Sequence, residues 1–204
     1  MTYYSQFKQD KILNEQIFKN KPNGFFVDIG AYDGVTDSNS LFFESIGWSG
    51  ICIEPNPIQF DILKTKRTCE YYKYAISDKE EIATFFQIKE GPSTLSGLVN
   101  EFTENAITRI NSSLISDSTG FDYITVECKR FDQIVKNTNI DYLSIDTEGN
   151  ELKILKSIDF NKYNIDVLTV ENNNYDNTII NFMISVNYNF IGRLGCDEVY
   201  MKKV

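Results

Sequence analysis

Apolar positions in this chain fall into short, dense blocks separated by polar, turn-forming stretches, and the period changes from block to block. Residues 9–18 put Ile12, Leu13, Ile17 and Phe18 on one helical face, and Pro22-Asn23-Gly24 stops that helix. Phe25-Phe26-Val27-Asp28-Ile29 is an apolar run ending at glycine, as expected of a buried parallel strand. The pattern then predicts a helix over 37–46 closed by Gly47, a strand over 50–54 and a helix over 58–67. A third strand is expected over 71–76 and an added one over 82–88, with a turn at 77–80 between them. Further on, strands over 123–128, 142–145 and 167–170 alternate with helices over 131–135, 151–158 and 178–186. Two short strands at 189–193 and 198–201 close the pattern. Alternating strands and helices mean an α/β, doubly wound parallel sheet with right-handed crossovers. The last two strands lie too close together for a helical crossover, so an antiparallel hairpin is expected at one edge.

Residues 89–121 break the rhythm. Gly, Pro, Ser, Thr and Asn are frequent there and apolar periodicity is weak. A loop that long in a compact domain is expected to act as a lid or an acceptor-binding loop, with Ser93, Thr94, Ser96 and Thr103 suited to sugar hydroxyls. No repeat or linker divides the sequence, so residues 1–204 read as a single domain with a helical extension at 1–24.

Charge and composition narrow the chemistry. The net charge of −9, from 20 basic against 29 acidic residues, weighs against a broad nucleic-acid surface. There is no histidine, which removes every Ser-His or Cys-His scheme and leaves carboxylate, lysine, tyrosine or a metal-bound species as the base. The four cysteines are scattered without a C-x-x-C, as expected of reduced, buried thiols in a cytoplasmic protein. The first residues lack the basic-then-apolar pattern of a signal peptide, and no apolar run approaches the roughly 20 residues of a membrane span. No membrane partner is expected.

The first strand runs into Asp28-Ile29-Gly30-Ala31-Tyr32-Asp33-Gly34, where glycines let the backbone approach a ligand at the carboxyl edge of the sheet. A dinucleotide pyrophosphate requires G-x-G-x-x-G and a turn free of anions. Here the spacing is G-x-x-x-G, and Asp33 stands where phosphate would sit. A cationic sulfonium with an α-amino group would be attracted to Asp28 and Asp33 instead. Glu54, at the end of the second strand, is placed to accept ribose hydroxyls. Together these features favour a ligand that is part nucleoside and part cation.

Several runs resemble the FkbM-type S-adenosylmethionine-dependent methyltransferases. They are Ser5-Gln6-Phe7-Lys8-Gln9-Asp10, the glycine turn, Ser38-Asn39, Gly47-Trp48-Ser49-Gly50, Ile53-Glu54-Pro55-Asn56-Pro57, Leu143-Ser144-Ile145-Asp146-Thr147-Glu148-Gly149-Asn150-Glu151 and the C-terminal Asp197-Glu198-Val199-Tyr200. The resemblance implies a class I (Rossmann-like) methyltransferase sheet of order 3-2-1-4-5-7-6 with strand 7 antiparallel, and methyl transfer to a hydroxyl. The implied acceptor is a small molecule such as a sugar, nucleotide sugar or glycan. It also implies that Asp28, Gly30, Ala31, Asp33 and Gly34 hold the methionine end, with Gln6 and Ser38 near the amino-acid moiety. Glu54 and Pro55 would then face the ribose, and Ala75 and Ser77 would border the adenine.

Asp146, Glu148, Glu171 and Asn172 follow the fourth and fifth core strands, hence share the edge that faces the donor. Such an oxygen-rich set suits Mg²⁺, with Asp146, Glu171 and Asn172 as ligands and Asp146 or Glu148 taking the hydroxyl proton. Three other readings compete with this one. They are an NAD-dependent oxidoreductase, which the position of Asp33 disfavours, a non-catalytic nucleoside-binding module, and an RNA methyltransferase, which the acidic balance disfavours.

Overall fold

A computed structural model describes residues 2–89, 93–114 and 120–203. In chain order its strands are β1 (Phe25–Ile29), β2 (Ser49–Ile53), β3 (Glu70–Tyr72), β4 (Ala75–Ile76), β5 (Glu81–Ile88), β6 (Gly97–Leu98), β7 (Phe121–Lys129), β8 (Asn139–Ile145), β9 (Asn164–Glu171), β10 (Tyr188–Leu194) and β11 (Asp197–Lys202). Its α-helices are α1 (Gln9–Ile12), α2 (Leu41–Ser45), α3 (Pro57–Lys66), α4 (Glu104–Leu114), α5 (Phe131–Ile134), α6 (Glu151–Ser157) and α7 (Thr178–Ser185).

Because β1, β8 and β9 are apolar on both faces, each must be covered twice, and they sit at the centre of a sheet ordered β3-β2-β1-β8-β9-β11-β10. Pairing is parallel from β3 through β9, while β11 runs antiparallel to both β9 and β10. Alternate residues divide the core. Val27, Ile29, Ile51, Ile53, Leu143 and Ile145 face Phe131, Ile154, Leu155, Ile179 and Met183 of α5, α6 and α7. Phe26, Cys52 and Tyr142 face Leu13, Phe42, Phe43, Leu63 and Trp48 on the other side. Each of these fully buried side chains contributes about 1.5–3 kcal/mol relative to exposure.

The sheet register is what builds the site. Ile29 is opposite Ile53 on one side and Ile145 on the other, and Ile145 is opposite Val170. The next residue on each strand path is therefore Gly30, Glu54, Asp146 or Glu171, and these four form a row along one edge of the sheet.

Four expectations need correction. The helix expected over 37–46 is only Leu41–Ser45, because Asp37 adopts a left-handed φ of 52° and residues 31–40 form a turn. The strand expected over 71–76 is two strands in different sheets: β3 pairs with β2, and β4 pairs with β7. A second sheet, ordered β4-β7-β5-β6, was not anticipated. The first helix passes from α1 into a π-helix at Leu13–Ile17.

The segment 89–121 is also not a bare loop, although its residues 90–92 and 115–119 lie outside the described ones. It contains β6, two 3₁₀ turns and α4. The Thr103 hydroxyl caps α4 by accepting the Ala106 N–H, and Ile110 packs against Phe86, Ile88 and Leu95. All four cysteines are free, with Cys52 and Cys128 buried and Cys69 and Cys196 partly so. Among the described residues no helix is long and apolar enough to cross a membrane.

Candidate active site

A cavity of about 480 Å³ opens at the row of strand ends, within the usual size range of small-molecule sites. The main sheet forms its floor, and Ala75, Ile76, Phe85, Ser93 and Leu98 of the second sheet and insert wall one side.

Gly30 is required where β1 and β8 converge. It has φ +86°, and a Cβ there would lie 1.7 Å from the Asp146 carbonyl oxygen. Gly30 and Ala31 both donate their N–H to the Ile53 carbonyl, at 2.9 and 3.1 Å, which ties the turn to β2. Tyr32, at φ 51°, then donates its N–H to Glu54 Oε2 at 2.9 Å, and Asn56 donates to Oε1 at 2.8 Å. Each Glu54 oxygen thus accepts one backbone N–H and keeps a lone pair for the cavity. Burial pushes the Glu54 carboxyl up to about 7, against those two hydrogen bonds. Asp28 is raised too, by burial first, with the Ser40 hydroxyl and Arg67 opposing.

Of the expected cofactor residues, Gln6, Asp28, Gly30, Ala31, Ser38, Glu54, Pro55 and Ala75 line the cavity. Asp33, Gly34 and Ser77 do not. Asp33 closes its own turn, accepting from the Val35 and Thr36 N–H groups and the Thr36 hydroxyl. Gly34 lies against Arg67, whose Cγ would be 2.7 Å from an added Cβ. The Ser77 hydroxyl is turned to Asp78.

Asp146, Glu148 and Glu171 place carboxylate oxygens within 4.8 Å of one another. Burial, then the neighbouring acids, drives the Asp146 and Glu171 carboxyls well above their ordinary range. Glu148 is raised to about 7 by burial, opposed by Arg109, whose guanidinium meets its two oxygens at 2.9 and 3.4 Å. Glu148 does not simply start α6. Its φ of 60° turns it into the cavity, and Glu151 takes the acid's place at the helix start, accepting the Thr147 and Gly149 N–H groups. The expected third ligand, Asn172, is held by its amide nitrogen. Its amide donates to Glu198 Oε1 and the Asp176 carbonyl at 3.0 Å each, and it borders a smaller adjoining cavity. Glu148 is the third carboxylate of the cluster.

Sequence reasoning missed Arg67 and Arg109. Arg109 is the only Lys or Arg that lines the larger cavity among the described residues. Neither had a local signal, since their partners lie 23–39 residues away in the chain.

These acids make stability depend on pH in a definite direction. Glu54 and Glu148 hold their protons to about 7 in the folded state, against an ordinary value of 4.5, so between those limits the folded chain binds more protons than the unfolded one. Stability of the ligand-free protein then falls as pH rises through that window. Glu44, lowered to about 2, acts in the opposite sense but below 4.5. Calorimetric scans should give a lower Tm at pH 8 than at pH 5, and a Tm that climbs over that interval would contradict the burial of these carboxyls.

Residues 28–190 match the family described as the methyltransferase FkbM domain. No match is found among curated proteins. Among solved structures, the chain resembles the methyltransferase FkbM of Methylobacillus flagellatus KT at 13% identity and a TM-score of 0.53, over 88% of this chain and 44% of that one. It also aligns with a TehB-like SAM-dependent methyltransferase of Corynebacterium glutamicum ATCC 13032 Kitasato, at 9% identity and a TM-score of 0.48, over 98% and 89% of the two chains. The chain thus spans less than half the length of the first of these relatives, and at such identities the likeness is one of fold.

Proposed function

Because the chain belongs to the FkbM methyltransferase family, we propose that it transfers the methyl group of S-adenosylmethionine to a hydroxyl of a small molecule, a sugar or nucleotide sugar, assisted by Mg²⁺. The observation that carries this reading is the row Gly30, Glu54, Asp146 and Glu171, four strand-end residues facing one cavity. We read the main sheet as the class I order 3-2-1-4-5-7-6, because its seven strands, counted among themselves, stand in that sequence.

In this reading the methionine end lies at the Gly30 turn beside Asp28, and Glu54 accepts the ribose hydroxyls with its free lone pairs. The buried acids favour the sulfonium charge, which is lost when the methyl group leaves sulfur for the acceptor oxygen. Glu148 takes the hydroxyl proton, since a carboxyl held near 7 is matched to that task at neutral pH. The insert residues 93–114 supply Ser93, Thr94, Ser96 and Arg109 to the cavity wall and serve as its cover on the acceptor side.

The acid cluster fits a hard divalent ion, because three carboxylate oxygens converge in a space where, among the described residues, Arg109 is the one cationic side chain lining the cavity. Asp146 and Glu171 would hold the ion, with Glu148 in reach. When bound, it would lower the pKa of the acceptor hydroxyl. Incubation with the donor and a panel of nucleotide sugars, read by mass spectrometry, should give a methylated product that EDTA suppresses and Mg²⁺ restores. Glu171→Gln should raise the Mg²⁺ requirement, and donor binding should survive EDTA. Full activity in metal-free buffer would contradict the metal and leave Glu148 as an unaided base, with activity rising through pH 7.

A further inference from the structure

Among the described residues one pair of thiols has its sulfurs in contact. Cys69 Sγ lies 3.5 Å from Cys52 Sγ, although the two are 17 residues apart in the chain. Cys52 is on β2 and fully buried, whereas Cys69 sits at the bend between α3 and β3 and is partly open to solvent. The outer thiol is thus within reach of a small reagent, and the inner one within reach of the outer.

The surroundings suit thiol chemistry. Burial first, then the Cys69 thiol, pushes the Cys52 thiol up, and the Arg67 guanidinium opposes them. Arg67 interacts electrostatically with both sulfurs. A cation beside a thiol favours the thiolate, which is the attacking species. The other two cysteines are placed differently. Cys196 is pushed up by burial and by Asp197, Glu171 and Asp146, and Cys128 is buried in the core of the second sheet.

We infer that Cys52 and Cys69 are an oxidation site, which a small-molecule disulfide closes into a reversible internal disulfide. The Cys69 thiol loses its proton to water, and its thiolate attacks one sulfur of the oxidant, forming a mixed disulfide and expelling one thiolate. Cys52 Sγ then attacks Cys69 Sγ, and its proton goes to the second thiolate as that leaves. Two protein thiols are oxidised to one disulfide, and the oxidant is reduced to two thiols. The sulfurs must close from 3.5 Å to about 2.05 Å. Cys52 is held in the sheet between Asp28 of β1 and Tyr71 of β3, so the movement falls on the bend. There the Thr68 and Cys69 N–H groups donate to Glu44 Oε1 at 2.6 and 3.3 Å. Arg67, two residues before Cys69, donates to Glu44, Ser38 and Ser40. Closing the bond therefore loosens the brace behind the glycine turn and couples thiol state to donor affinity; this coupling rests on the methyltransferase reading.

The purified protein is incubated with oxidised glutathione, its remaining thiols are alkylated, and its peptides are read by mass spectrometry. Wild type should give a Cys52–Cys69 cross-link that dithiothreitol removes, with no glutathione retained on Cys69. Cys52→Ser should instead keep one glutathione on Cys69, because the thiol that resolves the mixed disulfide is gone. Should serine at that buried position prevent folding, Cys52→Ala makes the same comparison. Calorimetry with S-adenosylhomocysteine should show affinity falling several-fold on oxidation and returning on reduction, in wild type but not in Cys69→Ser. A wild type that stays unlinked, or that keeps glutathione on Cys69, would overturn the site. A cross-link that leaves affinity unchanged, or an equal loss of affinity in Cys69→Ser, would overturn the coupling. No binding of S-adenosylhomocysteine by the reduced protein would instead overturn the methyltransferase reading, and the cross-link, which needs no donor, would still be decided.

Discussion

Gly30→Val is expected to abolish donor binding and to destabilise the protein by about 3 kcal/mol or more. Two separate conflicts add. The residue sits at φ +86°, which a β-branched side chain strongly disfavours, and its Cβ would fall 1.7 Å from the Asp146 carbonyl oxygen. That oxygen is backbone, so relief requires β1 and β8 to separate at the point where Asp146 N–H donates to the Ile29 carbonyl. Separation would also move Asp146 from Glu171, so the donor end and the acid cluster fail together. Urea unfolding measures the loss of stability and calorimetry the loss of donor binding. Wild-type behaviour in both would mean that the strand ends do not converge as described.

Arg67→Leu should cost about 3 kcal/mol of stability, the range for removing one member of a buried ion pair. The Arg67 side chain is fully buried. Its Nε donates to Glu44 at 2.5 Å, Nη1 to the Gly34 carbonyl and Ser38 Oγ at 3.1 and 3.3 Å, and Nη2 to Ser40 Oγ at 3.0 Å. One guanidinium thus braces the whole loop between the glycine turn and α2, and Ser40 in turn donates to Asp28. Removal leaves Glu44 and Asp28 without their cation, although Glu44 keeps the Thr68 N–H and hydroxyl. Donor affinity should fall as well, since Ser38 lines the cavity. Arg67→Lys should recover little, because a point charge cannot span four acceptors as the planar fork does. Full recovery by lysine would show that charge alone matters there.

Much of this was legible in the sequence. Strand ends were readable because an apolar run followed by glycine or an acid marks where a parallel strand leaves the core, and this located Gly30, Glu54, Asp146 and Glu171. The second sheet was not readable. β3 and β4 are separated only by Lys73 and Tyr74, and nothing in that dipeptide says that the chain changes sheets. The helix α4 was hidden because Asn105, Thr108, Asn111 and Ser112 obscure the spacing of Ala106 and Ile110. Arg67 acts through partners 23–33 residues distant, so its role exists only once the chain is folded. Asn172 donates its amide nitrogen to Glu198, 26 residues away, a contact that no local pattern announces.

The most direct test is calorimetry of the purified protein with S-adenosylhomocysteine and with NAD, repeated with Glu54→Ala. A donor held by the Gly30 turn and by Glu54 predicts binding of S-adenosylhomocysteine, none of NAD, and a loss of about 1.5–3 kcal/mol in the variant, as for hydrogen bonds to a charged group. Tight NAD binding without S-adenosylhomocysteine, or an affinity indifferent to Glu54, would contradict it.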